Sequence, residues 1–147
     1  MKTHPLADLD WSRAHTAPIQ MRYSDADAMG HLNNAVYVQY LETARVLMMQ
    51  DLGGDINALL TVLARIELDY VREIRLGQTV EVQTLLEHVG RSSYSFVVRM
   101  MADGEPCAYG RTVQVNVGTD KRPAPLSDEW MRRMAPYAAP GVLPGSH

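Results

Sequence analysis

The stretch from Asn34 to Leu52 constrains the fold of this chain more than any other. Tyr37, Leu41, Ala44, Met48 and Leu52 recur at helical intervals, with Val36, Tyr40 and Leu47 beside them. The apolar face is therefore wider than the stripe of an ordinary surface helix. Such a helix is mostly buried, and the rest of the chain has to cover it. Asn33 or Asn34 can supply the N-cap, and Gly53-Gly54 the left-handed stop, so both ends are signalled.

The covering material reads as strands. Pro18 to Tyr23 alternates before the helix. After it, Thr61 to Tyr70 alternates with β-branched and aromatic content, and we expect that strand to end near Ile74. Gly77-Gln78 turns the chain, and Thr79 to His88, Ser92 to Met101 and Cys107 to Val117 make three more strands. These are separated by Gly90-Arg91 and by the hairpin signal Asp103-Gly104-Glu105-Pro106. The order β-α-β-β-β-β predicts an α+β fold, an antiparallel β-sheet with one long helix on its concave face. Asp55 to Leu60 is expected as a connecting turn or short helix, and Ser127-Asp128-Glu129 with Trp130, Met131 and Met134 as a capped C-terminal helix.

At 147 residues, 46% of them hydrophobic, the chain suits one domain with a real core. We place an N-terminal extension at 1–16, the folded domain at 17–135 and a flexible tail at 136–147, where proline and glycine recur with no buried pattern. Within the extension Trp11 is expected to be a packing plug. A net charge of −3 gives no broad basic field, so nucleic acid is not the expected partner. The one cysteine, Cys107, cannot close an internal disulfide. No apolar run approaches the roughly 20 residues of a membrane span and no signal-peptide core is present, so the expected location is cytoplasmic.

Polar chemistry concentrates between Tyr23 and Tyr37, where a strand runs into the N-terminus of the buried helix. That end of a helix presents unpaired N–H groups and a positive dipole end, able to stabilise a carbonyl oxygen as it gains charge. Asp25 and Asp27 stand beside it. The plainest role for both is an Asx turn or a helix cap, and for His31 a ring packed or hydrogen-bonded in the turn, set against a general-base role. Asp25, Asp27 and His31 could also hold a metal, but no second cluster completes a shell and a helix N-terminus repels a cation, so no metal is expected. There is no Gly-x-Ser-x-Gly elbow and no nucleophile motif around Cys107. Glu42 and Arg45, three apart, suit an ion pair.

The run Asp27-Ala28-Met29-Gly30-His31-Leu32-Asn33-Asn34-x-x-Tyr37, followed by Glu42-x-x-Arg45, resembles the signature of hotdog-fold thioesterases of the 4-hydroxybenzoyl-CoA thioesterase family. Its His-x-Asn-Asn portion is similar to plant acyl-acyl-carrier-protein thioesterases. The resemblance extends from about Pro18 to Glu129, with Tyr70-x-x-Glu73-Ile74-Arg75-Leu76-Gly77, Gly90-Arg91-Ser92-Ser93 and Lys121-Arg122-Pro123 as further matching features. It implies a sheet wrapped around the central helix and hydrolysis of an acyl-CoA thioester, or of an acyl-carrier-protein one. Asp27 would be the nucleophile or general base, the Asn34 backbone N–H the oxyanion donor and His31 an auxiliary. The histidine-matched group also uses an asparagine where this chain has Met29, and another hotdog subgroup places its catalytic glutamate on the helix, which gives Glu42 a rival claim.

Arg91, Ser92 and Arg122 are surface-turn residues by default, and the resemblance makes them, with Lys121 and Ser93 nearby, candidates for binding coenzyme A phosphates. Coenzyme A would be part of the substrate, with no separate cofactor. Open strand edges predict a homodimer or homotetramer, and the resemblance puts the acyl channel between protomers. Two other classes remain: a hotdog dehydratase or enoyl hydratase, whose motifs are not evident, and a non-catalytic acyl-CoA-binding module.

Overall fold

The computed structural model describes residues 3–53 and 61–146. The expected turn or short helix at 55–60 lies outside the described residues. Strand β1 (His15–Ile19) precedes helix α1 (Asn34–Asp51), and β2 (Thr61–Tyr70), β3 (Val80–Val89), β4 (Ser93–Ala102) and β5 (Glu105–Asn116) lead to helix α2 (Asp128–Met134). The strands form one sheet in the order β1-β3-β4-β5-β2, with every neighbouring pair antiparallel. This is the hotdog arrangement: a five-stranded antiparallel sheet with a long helix packed on one face.

Helix α1 begins where the sequence signals it. The Asn33 side chain accepts the Ala35 N–H at 3.0 Å, and Gly53 ends the helix at φ +78°. Tyr37, Tyr40, Leu41, Ala44, Met48 and Met49 are buried against the inner sheet face, where Val82, Leu86, Phe96, Val98 and Met100 meet them. Asp103 (φ 50°) and Gly104 (φ 81°) make the two-residue turn between β4 and β5, with both central residues left-handed as such hairpins require. Strand β5 passes so close to β2 that a Cβ on Gly110 would stand 2.2 Å from the Glu67 carbonyl oxygen.

Three elements differ from expectation. The first strand is shifted toward the N-terminus: His15–Ile19 pairs with Thr84–Val80, Pro18 sits on the unpaired edge of the sheet, and Tyr23–Asp25 is a 3-10 turn. Strand β2 stops at Tyr70, because the Val71 and Arg72 N–H groups both turn to the Cys107 carbonyl. Residues beyond 136 do carry buried groups: Ala138, Leu143 and Ser146 are enclosed, and the Ala139 N–H bonds to the Leu86 carbonyl at 2.8 Å. Single side chains are buried there rather than a periodic face, which leaves no pattern for a sequence to show.

The outer sheet face is closed by the N-terminal segment. Trp11 is buried against Leu6, Leu85, Val97 and Tyr109, its indole N–H bonded to the Leu6 carbonyl at 2.9 Å. The packing role expected of Trp11 is the one it has. Among the described residues no helix is long and apolar enough to cross a membrane. Among the described residues, strands β1 and β2 each leave one edge unpaired.

The Gly110 contact gives a direct test. Gly110→Ala is expected to lower unfolding stability by about 1–3 kcal/mol through overpacking against backbone that cannot move aside, read as a drop in the urea midpoint at unchanged slope.

Candidate active site

The residues from Asp25 to Asn34 make a compact junction held on three sides. The Asp27 N–H bonds to the His31 carbonyl at 2.8 Å and the Gly30 N–H to the Asp27 carbonyl at 3.0 Å, with Gly30 left-handed at φ +78°. Leu32 and Leu76 tie this turn to the segment after β2 through Leu32 N–H to Ile74 carbonyl (2.7 Å) and Leu76 N–H to Gly30 carbonyl (2.9 Å). The Asn33 N–H bonds to the Asp25 carbonyl at 3.0 Å, which fixes the start of α1.

The two aspartates have opposite fates. Asp25 is buried, its carboxylate accepting from the Tyr40 hydroxyl at 2.7 Å, the Arg22 N–H at 3.0 Å and the Arg22 guanidinium at 3.1 Å. Burial alone would raise its pKa, but these donors outweigh burial and hold the carboxyl below its ordinary value. Burial and the carboxylate together push Tyr40 well up. Asp25 is thus a buried anion bonded to Tyr40 and Arg22.

Asp27 is exposed. Its Oδ1 accepts the N–H groups of Met29 (2.9 Å) and His31 (3.1 Å). These two bonds fix the plane of the carboxylate, and among the described residues Oδ2 has no protein donor. This Asx turn is the plain role for Asp27, and it leaves the second oxygen available for chemistry.

Asp27, His31 and Asn34 line one cleft of about 640 Å3, a size within the range of small-molecule sites. The first N–H groups of a helix have no intrahelical acceptor. Here the Asn33 side chain takes that of Ala35 and the Asn33 carbonyl that of Val36. The Asn34 N–H is left without a described acceptor at the cleft. It can donate to an oxygen that gains negative charge, beside a carboxylate able to act on the same carbon.

The opposite wall was not marked as a site by the sequence. Tyr70, Arg72 and Glu73 line it. The Tyr70 hydroxyl donates to the Asn34 carbonyl at 2.9 Å and its ring meets Tyr37 edge-on at 4.8 Å between centroids, so the end of β2 braces the first turn of α1. Burial raises the Tyr37 pKa to about 12, so its hydroxyl stays protonated at working pH. His31 Nε2 lies 3.3 Å from Glu73 Oε2 across the cleft. The sequence signals for this wall are a strand that ends in tyrosine and the Tyr70-x-x-Glu73 match of the family resemblance, and neither shows where the residues after Tyr70 fold back.

Glu42 pairs with Arg45 at 2.7 Å. It lies eight residues along α1 from Asn34, about 12 Å up the axis, and does not line the cleft. Arg91 and Ser92 lie instead in a turn against which the loop carrying Arg122 is folded. Asn116 donates its N–H to the Ser92 carbonyl, Leu126 to that of Arg91, and Ala124 to that of Asn116, which folds the 118–126 loop against the 90–92 turn. Both arginines are exposed and, among the described residues, form no ion pair. This corner stands at the Thr61 end of β2, opposite Asn116, whereas the cleft stands at the Tyr70 end. Within one chain the two are separated by about 30 Å, the length of the strand.

The match to known proteins follows this geometry. Residues 21–134, more than half of the chain, match the model of the thioesterase-like superfamily. The chain belongs to the thioesterase-like superfamily. A thioesterase of Thermus thermophilus, solved in complex with coenzyme A and Zn, is 35% identical over 85% of this chain and 94% of its own, with a TM-score of 0.77. A predicted thioesterase from Bacillus stearothermophilus is 29% identical over 86% of this chain and 97% of its own, TM-score 0.78. A putative acyl-CoA thioesterase of Bacillus subtilis, YneP, is 30% identical over 47% of this chain and 54% of its own. As a member of this superfamily the chain is an enzyme of the thioester-hydrolysing kind.

The low Asp25 pKa sets a pH dependence. A carboxyl depressed in the folded state contributes stability that is full above its unfolded value, near 4, and is lost as pH falls through the folded value. Wild type should therefore lose stability progressively below about pH 4, and Asp25→Asn should be less stable at pH 7 with a shallower acid slope. Urea midpoints between pH 2.5 and pH 7 test this, and parallel slopes would contradict it.

Proposed function

We propose that the protein hydrolyses acyl-CoA thioesters, with Asp27 acting on the thioester carbonyl and the Asn34 N–H receiving the oxyanion. The observation that carries this reading is the pairing, in one cleft, of an unbonded carboxylate oxygen with the orphan N–H of a helix N-terminus. Asp27 Oδ2 can attack the carbonyl carbon, expelling the coenzyme A thiolate and forming a mixed anhydride that water then opens. Alternatively it takes a proton from a water that attacks the same carbon. In both routes negative charge forms on the carbonyl oxygen, where a fixed N–H dipole is worth most. A thiolate leaves without strong protonation, so one carboxylate and one oxyanion donor suffice. His31, fixed near Glu73, is an auxiliary that orders the cleft wall.

The substrate reading includes coenzyme A because the corner of Arg91, Ser92 and Arg122 offers two exposed guanidinium groups, without an ion pair among the described residues, that suit phosphates. Its distance from Asp27 along β2 fits a homodimer. If β2 pairs antiparallel with β2 of a second copy, the Tyr70 end of one strand lies beside the Thr61 end of the other. Each cleft then borrows the arginine corner of its neighbour, and two exposed strand edges are covered.

Asp27→Asn is expected to lower kcat/KM on acyl-CoA by about 10²- to 10⁴-fold with folding intact. A loss under about tenfold, 1.4 kcal/mol, would contradict the role given to Asp27.

The Arg91→Ala/Arg122→Ala variant should raise KM for acyl-CoA more than it lowers kcat, and added salt should reproduce part of the effect. On the matching N-acetylcysteamine thioester, which lacks the nucleotide, it should equal wild type. An equal loss on both substrates would remove these arginines from coenzyme A binding.

A further inference from the structure

A second cavity, of about 530 Å3, lies between the N-terminal segment, α2 and the C-terminal residues. It is remote from Asp27: the Arg133 guanidinium of α2 bonds to the Leu52 carbonyl just past the end of α1, whose N-terminus opens on the cleft some 25 Å away along the axis.

The cavity lining combines an apolar floor with two guanidinium groups and one carboxylate, that of Asp128. Met131, Ala135, Pro136 and Pro144 supply the floor. Arg13 and Arg132 supply the guanidinium groups. The chain on either side of Pro144 and Gly145 is held in place: Ser146 is fully buried, its hydroxyl accepting the Leu143 N–H at 2.8 Å and donating to the Leu143 carbonyl at 2.6 Å, while the Gly141 N–H bonds to the Ser146 carbonyl at 2.7 Å. A partly apolar concavity of this size is what small-molecule sites share.

Arg132 is the informative side chain. Its neighbour Arg133 is used twice, by Glu129 at 2.7 Å and by the Leu52 carbonyl at 3.1 Å. Asp128 stands four residues before Arg132, the spacing at which helical ion pairs form. Yet among the described residues Arg132 makes no ion pair. Its planar fork suits a carboxylate, while the nearby Asp128 carboxylate disfavours a dianion and the floor favours a hydrocarbon body.

We infer that this cavity binds a small monocarboxylate through Arg132, with the apolar end of the ligand on Met131, Pro136 and Pro144. An acid of this class is also what thioester hydrolysis releases, but the inference rests on the cavity and not on that reaction.

The test uses the full chain labelled with 13C-methyl methionine and titrated with hexanoate or, as a neutral control, 1-hexanol. The Met131 methyl signal, assigned through Met131→Leu, should shift saturably with hexanoate and at least about tenfold more weakly with 1-hexanol. Arg132→Gln should weaken hexanoate binding by about tenfold or more, with the buried Met48 methyl unmoved to show that the variant is folded. Asp27→Asn should bind hexanoate as wild type does. No saturable shift at Met131, equal affinity for the alcohol, unchanged binding in Arg132→Gln, or loss of binding in Asp27→Asn would each overturn the inference. None of these outcomes depends on turnover, so they are distinct from failure of the thioesterase reading.

Discussion

The site depends on one buried hydrogen bond, from the Tyr40 hydroxyl to the Asp25 carboxylate at 2.7 Å. Tyr40 lies on the buried face of α1 and Asp25 in the turn before it, so this bond locks the turn onto the helix it precedes. The Asp25 backbone carbonyl holds the Asn33 N–H in the same arrangement. A buried carboxylate left without its donors would bear the full cost of desolvation, so the three contacts act as a set. Asp27 and the Asn34 N–H inherit their relative positions from this lock, although neither touches Tyr40.

From that fixed junction the division of labour follows. Helix and turn place a carboxylate oxygen and an N–H donor at one end of the sheet, and the second wall comes from the residues after β2. The arginine corner forms at the other end, where the 118–126 loop closes on the 90–92 turn through Asn116. A single chain therefore holds the cleft and the arginine corner at opposite ends of its edge strand. Val62, Tyr70 and Val71, along that strand and just after it, are exposed, and the last two line the cleft.

Much of this was legible in the sequence because it is local. Caps at Asn33 and Ser127, the stop at Gly53, and the Asp103-Gly104 turn depend on a few adjacent residues, and each appears where the spacing places it. The grouping of Asp27, His31 and Asn34 is local in the same way. What escaped is set by tertiary partners. Gln20 to Tyr23 alternates as well as any strand, but the register of β1 on β3 is fixed by His15 opposite Thr84, and the chain leaves the sheet after Ile19. The wall of Tyr70, Arg72 and Glu73 exists because two N–H groups share the Cys107 carbonyl, some 35 residues away in sequence, a contact with no local signature. The separation of Arg91, Ser92 and Arg122 from Asp27 could not be read before the strand order was known.

The central claim is that Asp27 Oδ2 and the Asn34 N–H converge on one carbonyl. A crystal structure with an acyl-CoA analogue in which methylene replaces the thioester sulfur tests it most directly, since the ketone keeps the carbonyl and cannot be hydrolysed. The account predicts the ketone oxygen at about 3 Å from the Asn34 nitrogen, with Asp27 Oδ2 or a water bonded to it facing the carbonyl carbon. A ketone bound with its oxygen away from the Asn34 N–H, or with its carbon out of reach of Asp27, would contradict it.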